Sequence, residues 1–282
     1  MSLSIVIPAK NEGGAIGTVV SIAQETYPDA EIIVVDDGSD DNTAAVAADA
    51  GAKVISHPES LGNGAAVKTG ARAAAGEIIA FMDGDGQHTA AELAPLLEQL
   101  NNGYDMAIGA RDTGSHASVG RWFANGLYNA IASMMSGRKI LDLTSGFRVA
   151  RAEKFKQFLY LLPNGFSYPT TITMAFLRSG YPIVFEPISA ATRIGKSHIR
   201  PIRDGVRFLI IIFKVATLYS PLKIFLPASG LFFVTGISYY AYTYMAMGRF
   251  TNMSMLLLSA AVIVFLIGLI SEQITALTYS RS

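Results

Sequence analysis

The sequence predicts an α/β domain with a doubly wound, mostly parallel sheet, followed by a membrane anchor. Two observations carry this prediction. Strand-like and helix-like segments alternate from the N-terminus to about residue 199, as is typical of parallel sheets. Two uncharged apolar runs follow near the C-terminus, and each is long enough to cross a bilayer as a helix.

The alternation is clearest in the first hundred residues. The predicted strands are Leu3–Pro8, Glu31–Val35, Lys53–Ile55 and Glu77–Met82. The predicted helices are Gly14–Glu25, Asn42–Ala50, Ala65–Ala75 and Ala90–Asn101. The second strand is a continuous apolar run, which suits a parallel sheet buried on both faces. Ligands of such sheets bind beyond the carboxyl ends of the strands, so we expect the site there.

Composition excludes several classes of function. Charged residues make up 16% of the chain, below the roughly 25% usual in soluble domains, which favours membrane association. The formal net charge is +0, so no general attraction to nucleic acid is expected. The chain has no cysteine, which excludes disulfides, cysteine–zinc sites and thiol catalysis.

The apolar runs cover Ile224–Gly248 and Phe250–Ser271 and are joined by a short connector with a single charge, Arg249. They predict a two-helix transmembrane hairpin within residues 223–279. The alternative, two buried core helices of a soluble protein, is disfavoured because the two uncharged runs follow each other directly. Paired spans also suit a homo-oligomer.

Residues 200–222 mix basic and apolar side chains and predict an interfacial amphipathic helix; a packing helix of the preceding domain is the alternative. Basic residues flank the hairpin on the side of both of its ends: Arg200, Arg203, Arg207, Lys214, Lys223 and Arg281. By the positive-inside rule, they predict an integral membrane protein whose catalytic domain, residues 1–199, is cytoplasmic.

The strongest chemical signal is the segment Met82–His88, which follows the fourth strand. Asp83 and Asp85 stand two residues apart, and glycines at 84 and 86 allow a turn that brings both carboxylates to one cation. Oxygen ligands suit Mg²⁺ or Mn²⁺, and the Gln87 amide can supply another. An EF-hand is excluded because no Glu occupies the twelfth loop position. A ligand-free Asp/Gly turn is the alternative.

A second acidic run, Asp36–Asp41, follows the second strand. Asp36 and Asp37 are predicted to face a nucleoside, whereas Asp40 or Asp41 can cap the next helix. A dinucleotide-binding site is disfavoured because no Gly-x-Gly-x-x-Gly follows the first strand, and the chain also lacks a Gly-x-x-x-x-Gly-Lys-Ser/Thr loop.

Arginine and lysine residues form the third group of candidates, because guanidinium groups bind phosphates well. Arg148, Arg193 and Lys196 lie in segments with glycine and hydroxyl neighbours, which favours phosphate contact. Arg138 and Lys139 are interpreted as solvated surface residues.

Together these residues resemble the family-2 glycosyltransferases of GT-A fold, and among them the polyprenyl-phosphate glycosyltransferases of the dolichyl-phosphate mannose synthase type. The resemblance spans Ile5 to about Ser197 and includes the two-helix anchor. Its matching segments are Ile7–Glu12, Val35–Asp41, Asn63–Gly64, Met82–His88, Thr144–Arg148 and Arg193–Ser197.

The resemblance implies a role for each matching position. The nucleotide-sugar site would comprise Pro8, Ala9, Asn11, Glu12, Asp36, Asp37, Asn63, Asp83, Gly84, Asp85, Arg193 and Lys196. The metal ligands would be Asp83, Asp85 and Gln87. The acceptor phosphate would meet Arg111, Arg121, Ser145 and Arg148. The catalytic residues would be Asp85, Arg111 and Arg121, of which Arg121 lies in a segment that matches only loosely.

The implied activity is inverting transfer of a hexose from a UDP- or GDP-sugar to a polyprenyl phosphate, undecaprenyl or dolichyl, at the cytoplasmic membrane face. A phosphate monoester is already anionic near pH 7, so no strong general base is needed. Two alternatives remain: a transferase that acts on a sugar or polysaccharide, and a non-catalytic nucleotide-binding membrane scaffold.

Overall fold

A computed structural model describes residues 2–111, 119–165, 167–188, 213, 217 and 219–279, without the side chains of residues 119–125 and 128. The chain divides into two compact units, Met1–Ile211 and Ile212–Ser282. The first unit contains the sheet, and the second contains two long apolar helices.

The sheet of the first unit is mixed but mostly parallel, which confirms the predicted fold class. Its strands are β1 (Leu3–Ala9), β2 (Glu31–Asp36), β3 (Lys53–Ser56), β4 (Ile78–Phe81), β5 (Met106–Arg111), β6 (Arg148–Arg151) and β7 (Ile183–Ile188). Their order is β3-β2-β1-β4-β6-β5-β7. Only β6, among the described strands, runs antiparallel to its neighbours β4 and β5.

Helices cover both faces of this sheet. They are α1 (Ile16–Thr26), α2 (Thr43–Asp49), α3 (Asn63–Ala73), α4 (Leu93–Asn101), α5 (Val119–Ser136), α6 (Ala152–Lys156) and α7 (Tyr168–Arg178). Ile5 and Ile7 of β1 point into a core shared with α1 and α4. Val6 points to the opposite face, where α3 comes so close that a side chain at Gly70 would collide with it. This alternation along β1 is what a doubly wound sheet requires.

The parallel strands β1, β2 and β4 end at the same edge of the sheet. Ala9 pairs with Asp36, and Val6 pairs with Phe81, so the segments that follow the three strands leave the sheet side by side. These segments contain the polar clusters singled out in the sequence. The topology therefore gathers them at one site, as the rule for carboxyl ends predicts.

The second unit contains an apolar helical hairpin of α8 (Leu222–Met247) and α9 (Asn252–Tyr279). Both helices are long and apolar enough to cross a membrane. Only 11% and 17% of the residues in their most apolar stretches are buried. A core helix of a soluble protein would be mostly buried, so this exposure favours the membrane interpretation.

Small residues line the contact between α8 and α9 at intervals of seven. The buried members are Ser229, Gly236 and Thr243 on α8, and Ser254, Ala261, Gly268 and Thr275 on α9. Ser229 Oγ donates a hydrogen bond of 2.8 Å to the carbonyl of Ala261 across the contact. Small residues at this spacing allow two apolar helices to approach closely where no hydrophobic effect drives them together.

The helix α9 continues beyond Ser271, where the uncharged run ends, to Tyr279. Glu272 Oε2 accepts hydrogen bonds from Ser220 Oγ at 2.9 Å and from the backbone N–H of Leu222 at 3.2 Å. A carboxylate at a helix N-terminus satisfies free N–H groups and the helix dipole. Glu272 therefore caps α8 from its partner helix.

We expect Gly268→Leu to destabilise the hairpin by about 1–3 kcal/mol through overpacking. A side chain at Gly268 would place its Cβ 2.6 Å from Phe225 Cβ and force the helices apart. The matched control is Gly230→Leu, because Gly230 has no such neighbour within 4 Å. Thermal melts followed by circular dichroism in detergent would test this, and equal midpoints for the two variants would contradict the close packing.

Candidate active site

A cavity of about 300 Å³ lies at the carboxyl ends of β1, β2 and β4. Most of the residues predicted for the nucleotide-sugar site line it: Pro8, Ala9, Glu12, Asp37, Asn63, Asp83, Gly84 and Asp85. Sequence reasoning missed Lys10, Ser60, Gly62 and Ala66, which also line it. Lys10 brings a positive charge next to the acidic segment, which suits an anionic ligand.

The acidic segment leaves β4 in a tight turn. Gly84 is buried against α1, where an added Cβ would lie 3.3 Å from Ile16 Cδ1. Gly86 has a φ of +73°, a left-handed conformation that favours glycine. Asp85 Oδ1 accepts the backbone N–H of Gln87 at 3.1 Å, which ties the turn together. Both carboxylates consequently reach the same cavity.

Burial and repulsion from Asp85 raise the pKa of the Asp83 carboxyl above its ordinary value. Its two oxygens lie against the backbone of Gly146, where an added Cβ would stand 3.6 Å from each. A hard cation that is shared with a diphosphate needs carboxylate ligands and room for the anion. Asp83 and Asp85 supply the carboxylates, and the cavity supplies the room. The residues present thus fit Mg²⁺ or Mn²⁺, although the described residues contain no cluster of three acidic or histidine ligands.

Substitution of Asp83 by Asn is expected to stabilise the cation-free protein and to abolish its stabilisation by Mn²⁺. Folding raises the pKa of Asp83. The contribution of this group to the free energy of unfolding is therefore complete below its pKa in the unfolded chain, about 3.9, and is lost as the pH rises through its pKa in the folded protein. At pH 7.5 the charged carboxylate of Asp83 therefore destabilises the folded protein, and the Asn substitution removes this charge. Melting temperatures with and without Mn²⁺ would test this, with the exposed Asp49→Asn as control. A wild-type response to Mn²⁺ in Asp83→Asn would exclude it as a ligand.

The segments after β1 and β2 are joined by hydrogen bonds that involve two predicted site residues, Asn11 and Asp36. Asn11 donates its backbone N–H to Ser39 Oγ at 2.9 Å, and its Oδ1 accepts the N–H of Asp40 at 2.9 Å. Asp36 Oδ1 accepts the N–H and the hydroxyl of Ser39. Neither Asn11 nor Asp36 lines the cavity. In this structure Asn11 bridges the two segments, and Asp36 holds Ser39, one of the partners of Asn11.

Asp37 lines the cavity, but its carboxylate is bound within the protein. It accepts hydrogen bonds from His57 Nδ1, Ser60 Oγ and the backbone N–H groups of Leu61 and Gly62, all at 2.8–2.9 Å. Burial alone would raise the pKa of Asp37, yet these donors hold it below its ordinary value. The carboxylate is therefore charged at neutral pH.

Arg111 ends β5 and is held by the segment before β6. Its Nε and Nη2 form a two-pronged salt bridge with Asp142, at 2.8 and 3.2 Å, and Nη2 also donates to Thr144 Oγ1 at 2.9 Å. Burial opposes the charge of Arg111, but Asp142 and Asp83 raise its pKa overall. The arginine is thus fixed, always charged and close enough to Asp83 to stabilise negative charge there. The sequence contains Asp142 beside the Thr144–Arg148 motif, but the pairing was not predicted.

Two residues predicted to contact the acceptor phosphate are buried. Arg148 is 0% exposed, and its guanidinium donates to the carbonyls of Ser145 and Pro169 and to the hydroxyl of Thr173. Ser145 is 2% exposed, and its hydroxyl is 3.5 Å from the carbonyl of Phe147. This burial excludes direct phosphate contact in the present structure. Arg148 instead anchors the turn that places Gly146 against Asp83.

The structure does not describe the side chains of the remaining predicted cations. For Arg121, in α5, the structure describes the backbone alone. Arg193 and Lys196 fall outside the described residues, and so does most of the predicted interfacial helix. Gln87 is described, but it does not line the cavity. The roles of these residues stay predictions.

Two family models match the chain. The model described as glycosyl transferase family 2 matches residues 4–159, which include β1 to β6 and the acidic segment. The model described as the GtrB C-terminal hairpin matches residues 220–277, which are α8 and α9 with their connector.

Curated relatives extend this similarity. The chain is 32% identical to a dolichyl-phosphate hexose transferase of Haloferax volcanii over 206 residues, 72% of this chain and 89% of the relative. It is 29% identical to the polyprenol monophosphomannose synthase of Mycolicibacterium smegmatis, over 67% of this chain and 77% of the relative.

Among solved structures, the glucosyl-3-phosphoglycerate synthase of Mycobacterium tuberculosis in complex with Mn²⁺, UDP and phosphoglyceric acid is similar, with a TM-score of 0.60 and 22% identity. The alignment covers 76% of this chain and 77% of that one. At this identity the similarity establishes the GT-A fold alone.

Proposed function

Because this chain belongs to glycosyl transferase family 2, we propose that it transfers a hexose from a nucleoside diphosphate sugar to a polyprenyl phosphate at the membrane surface. One combination of features carries the proposal. The cavity holds Asp83 and Asp85 beside Arg111, and the same chain ends in a hairpin that matches the GtrB type. The names of the two curated relatives support a lipid-phosphate acceptor.

The donor site follows from the cavity. Pro8, Glu12 and Asn63 border the space for the nucleoside, and Asp83 and Asp85 border the space for the diphosphate. A Mg²⁺ or Mn²⁺ ion held there would neutralise the charge that develops on the departing diphosphate. The Mn²⁺ and UDP in the solved synthase complex support this donor chemistry. Because uracil and guanine are not distinguished by these residues, both UDP- and GDP-sugars are candidates.

The reaction is a single displacement with inversion at the anomeric carbon. An oxygen of the acceptor phosphate forms the new bond to that carbon, and the bond to the nucleoside diphosphate breaks with its electron pair. The acceptor is already ionised, so the protein has only to hold two anions close together and in line. Arg111 is suited to this role, since Asp142 and Thr144 fix its guanidinium near Asp83.

The anchor explains how the enzyme meets a lipid acceptor. We place α8 and α9 across the bilayer and the catalytic domain on the cytoplasmic side, as the flanking basic residues predict. The substrate phosphate lies at the membrane surface, so a tethered catalytic domain works at a high local acceptor concentration. A homo-oligomer remains part of the proposal.

Transfer from radiolabelled UDP- and GDP-hexoses, with Mn²⁺ and a short polyprenyl phosphate, would test the proposal with the full chain in detergent or nanodiscs. We expect the label to enter the organic-extractable lipid fraction. Transfer only to an added oligosaccharide would favour the polysaccharide alternative, and binding without transfer or hydrolysis would favour a scaffold. Either result would overturn the proposal.

A further inference from the structure

The side-chain amide of Asn129, on α5, binds the backbone on both sides of Asp142. Its Nδ2 donates to the carbonyl of Leu141, and its Oδ1 accepts the N–H of Leu143 at 3.0 Å. Only this orientation of the amide satisfies both groups, because a carbonyl needs a donor and an N–H needs an acceptor. The carbonyl belongs to the planar peptide unit before Asp142, and the N–H belongs to the unit after it. Asn129 therefore fixes the backbone of Asp142.

A second residue of α5, one helical turn after Asn129, holds the same segment. Ser133 Oγ accepts the N–H of Ile140 at 2.9 Å and donates to the carbonyl of Asn129 at 2.6 Å. The side chains of Ile140 and Leu143 are buried in the domain. Residues 140–143 are thus attached to α5 through three of their backbone groups, and two of these groups bind Asn129.

The side chain of Asp142 connects this segment to Arg111. Its two oxygens accept Nε and Nη2 of Arg111 at 2.8 and 3.2 Å. Its Oδ1 also accepts the N–H and the hydroxyl of Thr144, at 3.0 and 2.9 Å. A two-pronged pair of this kind fixes the direction of the guanidinium as well as its position. A displacement of the Asp142 backbone is therefore transmitted to Nη1, which has no hydrogen bond to the described residues.

We propose that Asn129 is a positioning residue of the acceptor site: it holds Asp142 in the place from which Asp142 directs Nη1 of Arg111 to the acceptor phosphate. Asn129 does not line the cavity of the donor site, so its effect should fall on the acceptor alone. This inference rests on the proposed function and on the contact between Arg111 and the acceptor phosphate within it. It adds the residue that sets the geometry of this contact.

The test compares two variants of the full chain in detergent. Asn129→Leu removes both contacts at similar size, whereas Asn129→Asp keeps the acceptor for the N–H of Leu143 and loses the donor. The matched control is Gln24→Leu, because Gln24 is an amide on α1 that donates to the carbonyl of Gly51 at 3.1 Å, outside the cavity.

The kinetic result separates positioning from general damage. We expect kcat/KM for the polyprenyl phosphate to fall about tenfold in Asn129→Leu, which corresponds to about 1.4 kcal/mol, and to fall less in Asn129→Asp. In both variants Kd for the nucleotide, measured by isothermal titration with Mn²⁺, should change less than about twofold. Gln24→Leu should change neither quantity. If Asn129→Leu does not fold, as judged by its melting curve, Asn129→Asp decides the same comparisons.

A chemical measurement follows Arg111 without any transfer reaction. Phenylglyoxal modifies guanidinium groups, and peptide mass spectrometry reports the modification of Arg111 separately from that of the other arginines. We expect Arg111 to react about threefold faster in Asn129→Leu than in the wild type, because a displaced Asp142 holds the guanidinium less firmly. In Gln24→Leu the rate should be that of the wild type. An unchanged rate at Arg111 in Asn129→Leu would overturn the inference even if acceptor use falls.

A double-mutant cycle with Arg111→Ala completes the test. If Asn129 acts through Arg111, Arg111→Ala/Asn129→Leu should use the acceptor no less well than Arg111→Ala. A further loss would mean that Asn129 acts by another route, and wild-type acceptor kinetics or an equal loss of nucleotide affinity in Asn129→Leu would exclude the positioning role; each overturns the inference. A wild-type chain that transfers no hexose to polyprenyl phosphate would instead overturn the proposed function, and the acceptor role of Asn129 with it.

Discussion

Replacement of Asp85 by Ala is expected to lower hexose transfer by about a hundredfold to a thousandfold while the fold remains intact. Asp85 lines the cavity, and the hydrogen bond that it forms within the described protein is to the N–H of Gln87 in its own turn. Its removal therefore costs little packing. The loss falls on the step in which the diphosphate departs, because one of the two carboxylates that would hold its cation is missing.

The control for this variant is Asp49→Ala, which removes an exposed carboxylate from α2. Both variants should melt within a degree or two of the wild type in the absence of cations. Initial rates are measured across Mn²⁺ concentrations, so that weakened cation binding and a slower chemical step can be told apart. Near-normal transfer by Asp85→Ala at saturating Mn²⁺ would remove Asp85 from the active site.

The parallel half of the fold was predictable because its signals are local. Each of the strands β1, β2 and β4 is a short apolar run, and each following helix has a residue that can begin or end it. The antiparallel strand β6 was not predicted. Arg148–Arg151 begins and ends with arginine and is only four residues long, so its place between β4 and β5 depends on tertiary pairing rather than on its own pattern.

The difference between local signals and tertiary contacts also decides which residues of the active site could be predicted. Asp83 and Asp85 could be singled out because two acids and two glycines follow a buried strand, and the sheet rule then places them at its carboxyl edge. Arg148 could not be assigned correctly. Its neighbours Thr144, Ser145 and Gly146 resemble a phosphate-binding segment, but the carbonyl of Ser145 accepts a hydrogen bond from the buried guanidinium, whose other oxygen partners lie in α7. Composition does not reveal whether such a turn faces a ligand or the core.

Asp37 illustrates a second limit of sequence reasoning. Its position after β2 predicted a ligand contact, and it does line the cavity. What the sequence could not reveal is that four donors from residues 57–62 converge on it. These donors come from a segment some twenty residues away in the chain, so their convergence depends on the path of that segment in the folded structure and is not visible in the local sequence.

Replacement of Arg111 by Ala is expected to lower kcat/KM for the polyprenyl phosphate by about a hundredfold while Kd for the nucleotide stays the same. The Arg111 side chain is 35% exposed, and its Nη1 forms no hydrogen bond to the described residues, which leaves two N–H groups for an acceptor phosphate. Loss of a charge-assisted contact in a site with restricted solvent accounts for an effect of this size.

Arg111→Ala also leaves the buried carboxylate of Asp142 without its salt-bridge partner. The resulting loss of stability must be separated from the loss of acceptor use. The control is Arg151→Ala/Lys154→Ala: Arg151 and Lys154 pair with the buried Asp105 at 3.3 and 2.7 Å, outside the cavity, so their joint removal also leaves a buried carboxylate without a cationic partner. Arg111→Ala and this control should both lose stability, but only Arg111→Ala should lose acceptor use. Arg111→Ala/Asp142→Asn should recover stability without recovering transfer, since the buried charge is gone and the phosphate contact is still missing.

Wild-type acceptor kinetics in Arg111→Ala, measured over a range of polyprenyl phosphate concentrations, would show that the acceptor phosphate is held by other residues.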